Sequence, residues 1–166
     1  VQMTATFSTA KRVLQQLVHD RRSLAMALFL PAILLALFGY VFDSQPEVFA
    51  RIGPQMLGLF PFILMFLLTS VTMVRERISG TLERLLTTPL RRGELIGGYA
   101  LAFGVLAIGQ SLVSTAVGTW GFDLGIDRPG EALVFALLGS VVGTSLGLLA
   151  SAFAETEFQS AQFMPL

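Results

Sequence analysis

The residues whose types and spacing could do chemistry are few. Gly143-Thr144-Ser145-Leu146-Gly147 fits G-x-S-x-G, the turn on which one large class of hydrolases holds a nucleophilic serine. That chemistry needs a strand-to-helix turn and a histidine base. The only histidine is His19, and Ser145 sits inside a long apolar run. A phosphate-binding loop needs G-x-x-x-x-G-K-[ST], and the only lysine, Lys11, stands in no such setting. Cysteine is absent, which excludes disulfides, thiolate metal sites and cysteine nucleophiles. No catalytic residue and no metal site are expected. What remains is the stretch RERISGTLERLLTTPLRRGE at 75–94, with five arginines and three glutamates between two runs that carry no charge. Mixed charge concentrated in one place suits contact with a soluble partner better than covalent chemistry.

The elements that must hold this patch follow from composition. The chain has 166 residues, 54% hydrophobic and only 13% charged, whereas soluble domains carry about 25% charged residues. Net charge is zero, so nothing points to nucleic acid. Four runs contain no Asp, Glu, Lys, Arg or His: Ser23–Phe42, Ile52–Val74, Leu95–Phe122 and Ala132–Ala154. About twenty apolar residues in a helix cross the roughly 30 Å core of a bilayer, so all four qualify. The expected fold is all-α, a polytopic transmembrane bundle with spans at about 23–42, 52–74, 95–120 and 132–154. A fifth span would start near Phe158. The first run is too long for the apolar part of a cleaved signal peptide, and no small-x-small site follows it.

Alternating loops give the orientation. One side carries Lys11, Arg12, Arg21, Arg22, Arg75, Arg77, Arg84, Arg91 and Arg92; the other carries only Arg51 and Arg128. The positive-inside rule then places the N-terminus and the 75–94 loop in the cytoplasm. Tyr40, Phe42, Trp120 and Phe122 fall at the outer interface. Residues 1–22 do not form a span. Phe7, Ala10, Leu14, Leu17 and Val18 recur at helical spacing among polar residues, which fits a helix lying in the inner membrane surface. A solvated cytoplasmic helix is the alternative.

Within the spans, the absence of Asp, Glu, Lys, Arg and His argues against proton-coupled transport. It also separates the chain from small four-span multidrug exporters, which rely on a carboxylate in the first span. Gly139, Gly143, Gly147 and Ser151 repeat every fourth residue, a smooth stripe that admits another helix. Ala107, Ser111 and Thr115 form a similar row. Gln110, near mid-membrane, needs hydrogen-bond partners from the protein, so it reads as inter-helix glue or a substrate contact. Phe62, Met65 and Phe66, with Phe60, are candidates to line an apolar substrate path.

The 75–94 loop has internal order. Ile78, Leu82, Leu85 and Leu86 share one helical face, Ser79 or Thr81 can cap its start, and Thr88-Pro89 ends it. A short amphipathic helix at about 77–88, with mixed charge outward, reads as a docking element.

This stretch, extended to RERISGTLERLLTTPLRRGELIGGY, resembles the signature loop of the type-2 ABC transporter permeases, especially the bacterial drug-efflux branch. That branch reads E-R-E-x-G-T-L-E-x-L-x-x-T-P-x-x-x-x-E-x-x-x-G-K. Arg75-Glu76-Arg77, Gly80-Thr81-Leu82-Glu83, Leu85, Thr88-Pro89 and Glu94 match in place. Tyr99 stands where many relatives have lysine. The resemblance implies a six-span permease of which this chain is about two-thirds, multi-pass in the bacterial plasma membrane. It implies partners: an ABC ATPase subunit that holds the MgATP, a second permease copy (same or different), membrane lipid, and a hydrophobic drug or metabolite, or a lipid or glycan, as cargo. No cofactor is expected on this chain. Arg75, Glu76, Arg77, Gly80, Thr81, Glu83, Arg84, Leu85, Thr88 and Pro89 would couple the ATPase to the spans. A non-transporting scaffold that recruits a cytoplasmic partner, and less readily an intramembrane hydrolase using Ser145, are the other readings.

Overall fold

A computed structural model describes residues 2–87, 91–122, 124 and 128–163, with side chains at all of these but 2–5, 82, 85, 86 and 92. Seven α-helices follow in order among them: α1 Gln2–His19, α2 Arg21–Val41, α3 Pro46–Ile78, α4 Thr81–Leu86, α5 Arg92–Ala116, α6 Pro129–Phe153 and α7 Glu157–Gln162. The described residues form no strand. α5 continues through a widened π turn at Val117–Gly121. Four helical stretches, of 21, 33, 29 and 25 residues, are long and apolar enough to cross a membrane.

Helix ends follow local chemistry. Asp20 caps α2: Ser23 N–H donates to Asp20 Oδ1 at 3.3 Å, and the Ser23 hydroxyl donates to Oδ2 at 2.6 Å. These bonds hold the Asp20 carboxyl below its ordinary value of 3.8. Pro46 and Pro129 open α3 and α6, where a missing N–H is harmless. Thus α3 begins inside the segment read from sequence as an outer loop. At about 1.5 Å per residue, its 33 residues exceed a bilayer core by several turns. The surplus carries the end with Arg75, Glu76 and Arg77 beyond the apolar zone; this end, near α1, α4 and α7, is called the basic end below.

The closest packing joins α3 to α6. A Cβ placed on Gly139, Gly143 or Gly147 would lie 2.8, 2.3 and 2.7 Å from the carbonyl oxygens of Gly58, Phe62 and Phe66. Both partners advance by four residues, so the helices run parallel and in step, backbone against backbone. Only glycine permits such an approach. The Ser111 and Ser140 hydroxyls, 3.1 Å apart, join α5 to α6. The Gln110 amide, fully buried, donates to the Pro61 carbonyl at 2.9 Å and ties α5 to α3.

Two apolar cores result. One lies toward the basic end and gathers Val13 and Leu17 of α1, Met65 of α3, and Leu95, Tyr99, Phe103 and Leu106 of α5. The other lies at the opposite end around Leu35, Phe49, Leu57, Leu124 and Ala136. The α1 helix crosses the basic half of α5, where small residues admit it: a Cβ on Gly98 would sit 2.5 Å from Thr9 Cβ.

Candidate functional site: the basic end of α3

Successive helical residues point about 100° apart, and at the end of α3 three of them reach three different elements. Arg75 Nε and Nη2 donate to Glu157 Oε1 and Oε2 on α7, at 3.0 and 3.1 Å. This two-pronged pair holds the Glu157 carboxyl below its ordinary value of 4.5. Glu76 Oε2 meets Arg12 Nη2 of α1 at 3.5 Å, with side chains only 14% and 32% exposed. The buried Tyr99 ring edge of α5 sits beside that pair. Arg77 Nη2 donates to the Ser151 carbonyl in the last turn of α6. One helical turn therefore ties α3 to α1, α6 and α7.

Beyond this turn the helix stops. Ser79 turns its hydroxyl back to the Glu76 carbonyl at 3.1 Å, and Gly80 takes φ +71°, a left-handed conformation that glycine adopts at little cost. Then α4 begins at Thr81, whose hydroxyl lies 2.9 Å from that of Ser79. Glu83 and Arg84 are exposed on α4 and form no ion pair among the described residues.

The sequence-derived helix at about 77–88 is therefore corrected. Arg77 and Ile78 close α3, a joint follows, and the loop helix spans Thr81–Leu86. Ile78 shares no helix with Leu82. The spacing of Ile78, Leu82, Leu85 and Leu86 belongs to the sequence alone and does not register the joint. Leu85 lies on α4, its side chain outside the described ones, and Thr88 and Pro89 lie outside the described residues. Ser79 caps nothing in α4; it belongs to the exit from α3. Glu94 accepts from Arg91 N–H at 2.9 Å and caps α5.

Other sequence candidates fall in distinct places. Phe62 and Phe66 border an apolar cleft of about 510 Å³ with Leu146, Leu149, Phe153 and Phe163. Met65 does not; it is fully buried in the core toward the basic end. Ser145 lies mid-helix with its hydroxyl donating to the Val141 carbonyl at 2.8 Å, in no strand-to-helix turn, so it has none of the geometry of a nucleophile. No cluster of metal-ligating side chains occurs among the described residues. Sequence reading missed Arg12 and Glu157 as partners of the loop root; their complementary charges were visible, their placement was not.

The described residues thus form a membrane-crossing helical bundle with a basic, jointed loop after its second span. The chain belongs to the ABC-2 type transporter family, whose model matches residues 4–166. It is a type-2 ABC permease with four helices long and apolar enough to cross a membrane. It is 33% identical over 113 residues to "ABC transporter G family member 20" of Dictyostelium discoideum, covering 67% of this chain and 15% of that protein. It is 30% identical over 110 residues to "Probable multidrug ABC transporter permease YbhR" of Escherichia coli K12, covering 64% of this chain and 29% of the relative. The chain thus matches under a third of the length of either relative. No solved structure matches it.

Proposed function

We propose that this chain is the membrane half of an ATP-driven exporter of hydrophobic drugs or metabolites. A separate ATPase subunit, which binds MgATP, docks on α4. A second permease copy completes the transporter, and the basic end faces the cytoplasm of a bacterial cell. The reading rests on one observation: Glu83 and Arg84 stand exposed just beyond a glycine joint with no ion pair among the described residues, while the three charges before the joint are committed inside the chain. Exposed charges of this kind suit contact with another protein, and the committed ones relay its motion to α1, α6 and α7. In this division of labour Glu83 and Arg84 contact the ATPase, while Arg75, Glu76 and Arg77 pass the displacement on. Gly80 and Thr81 set the angle between the two. Orientation is supported by nine basic residues on one side against two on the other. The efflux reading is supported by the multidrug name of the E. coli relative, and the cleft bordered by Phe62 and Phe66 suits an apolar cargo.

The test is reconstitution with the cognate ATPase. Glu83→Arg should insert normally yet lose export while ATP turnover becomes insensitive to cargo. Unaltered pumping by that variant, or failure of any ATPase to co-purify with the chain, would remove the assignment.

A further inference from the structure

Only part of the apolar surface of α1 is used against α5. Thr9, Ala10, Val13 and Leu17 are buried there. The adjoining flank is equally apolar: Leu14 is half-buried against the core, while Phe7 and Val18 turn away, 71% and 57% exposed. It overhangs the exposed side of α5 at Leu101 and Val105, and the corner between them is an open cavity of about 1410 Å³. Along its polar rim run Lys11, Gln15 and His19, which succeed each other every fourth residue and so form a row on the helix.

Arg12 is engaged by Glu76, and the Asp20 carboxylate, which accepts two bonds from the neutral Ser23, keeps its charge at the far end of the rim, nine residues from Lys11. Lys11 has no ion pair among the described residues and is exposed. A corner with apolar walls and, at the end of its lip away from Asp20, a cation without an ion pair among the described residues matches the two chemistries of a membrane lipid. The volume exceeds the roughly 300–1,000 Å³ of small-molecule pockets.

We propose that this corner is a binding site for one anionic phospholipid of the leaflet at the basic end. Its phosphate sits on the Lys11–Gln15–His19 row, and its acyl chains lie on Phe7, Leu14, Val18, Leu101 and Val105. The lipid fills the space beneath α1 and so steadies the helix whose Arg12 holds Glu76. The site depends on the chain being membrane-embedded and not on the ATPase or cargo assignments.

The single tryptophan, Trp120, allows a clean probe. Phe7→Trp in a Trp120→Phe background places an emitter in the corner with little change of shape. The full chain is reconstituted in phosphatidylcholine vesicles doped with brominated phosphatidylglycerol or, separately, brominated phosphatidylcholine at equal mole fraction. The anionic quencher should act at least about three-fold more strongly, Lys11→Glu should abolish the excess, and Lys11→Arg should keep it. Equal quenching by both lipids, or an excess that survives Lys11→Glu, overturns the site. Efficient disulfide formation between copies of a Phe7→Cys variant would assign the corner to a second chain instead and also overturn it.

Discussion

Both ends of α3 pack into an apolar core, but the contacts added to that packing differ. Away from the basic end, aromatic rings do the work: Phe49 meets Phe122 edge-on with centroids 6.1 Å apart, Tyr40 meets Phe122 at 5.6 Å, and Phe38 leans on Phe60 at 5.7 Å. At the basic end the ties are Arg12–Glu76, Arg75–Glu157 and Arg77–Ser151. Apolar contact is non-directional and changes gradually with position. Charge-assisted hydrogen bonds demand a particular geometry and are made or broken. A fixed end therefore suits rings, and an end that changes state suits ions, since a switch acts through contacts that differ between two states.

The contrast can be tested by removing support piece by piece. The largest loss should come from the glycine seam that both ends share. Gly143→Val puts its Cβ where the Phe62 carbonyl oxygen is only 2.3 Å away, and overpacking against backbone should cost about 3 kcal/mol or more. Thermal unfolding in detergent should show this as a sharp drop in Tm, and an unchanged Tm would mean that α3 and α6 do not touch there. Next comes Glu76→Gln, which leaves Arg12 half-buried without its partner. About 1–3 kcal/mol is expected, less than the full penalty for breaking a buried pair because both groups keep some water. The exchange Arg12→Glu with Glu76→Arg should recover part of it, and a double-mutant cycle measures the recovery.

Arg75→Ala should cost under about 1 kcal/mol, because its pair with Glu157 is exposed. That pair also has a pH signature. Its depressed carboxyl contributes stability above the ordinary 4.5 and loses it as pH falls through the lowered value. Stability of the parent should thus fall more steeply in acid than that of Arg75→Ala, read from unfolding midpoints over roughly pH 3 to 5. Smallest in stability is Glu83→Arg, within about 0.5 kcal/mol for an exposed residue. If its unfolding midpoint drops as far as that of Glu76→Gln, then α4 is packed into the bundle and is not a free docking element.

Much of the fold is legible in the sequence because membrane solvation is severe: charge-free runs of span length have few other uses. The bundle and its four long apolar helices follow from that rule alone. The seam was legible too, since a four-residue glycine period has a direct steric meaning, although nothing in the pattern says that its partner is the Gly58–Phe66 stretch. The candidate site was only partly legible. RERISGTLER marks the place, but charges crowded near a loop look alike until the fold supplies partners. Glu76 finds Arg12 across 64 positions and Arg75 finds Glu157 across 82, distances at which no local pattern reports. The joint at Gly80 was hidden for another reason: Ile78, Leu82, Leu85 and Leu86 fit one helical spacing in the sequence, and only the backbone angle reveals the break.

The seam also decides how a push would spread. Carbonyl oxygens of one helix resting on the glycines of another leave no side chains to rearrange, so α3 and α6 tilt as one girder. A displacement received past Gly80 would swing two membrane crossings together, and with them the cleft walls supplied by Phe62, Phe66, Leu146 and Leu149.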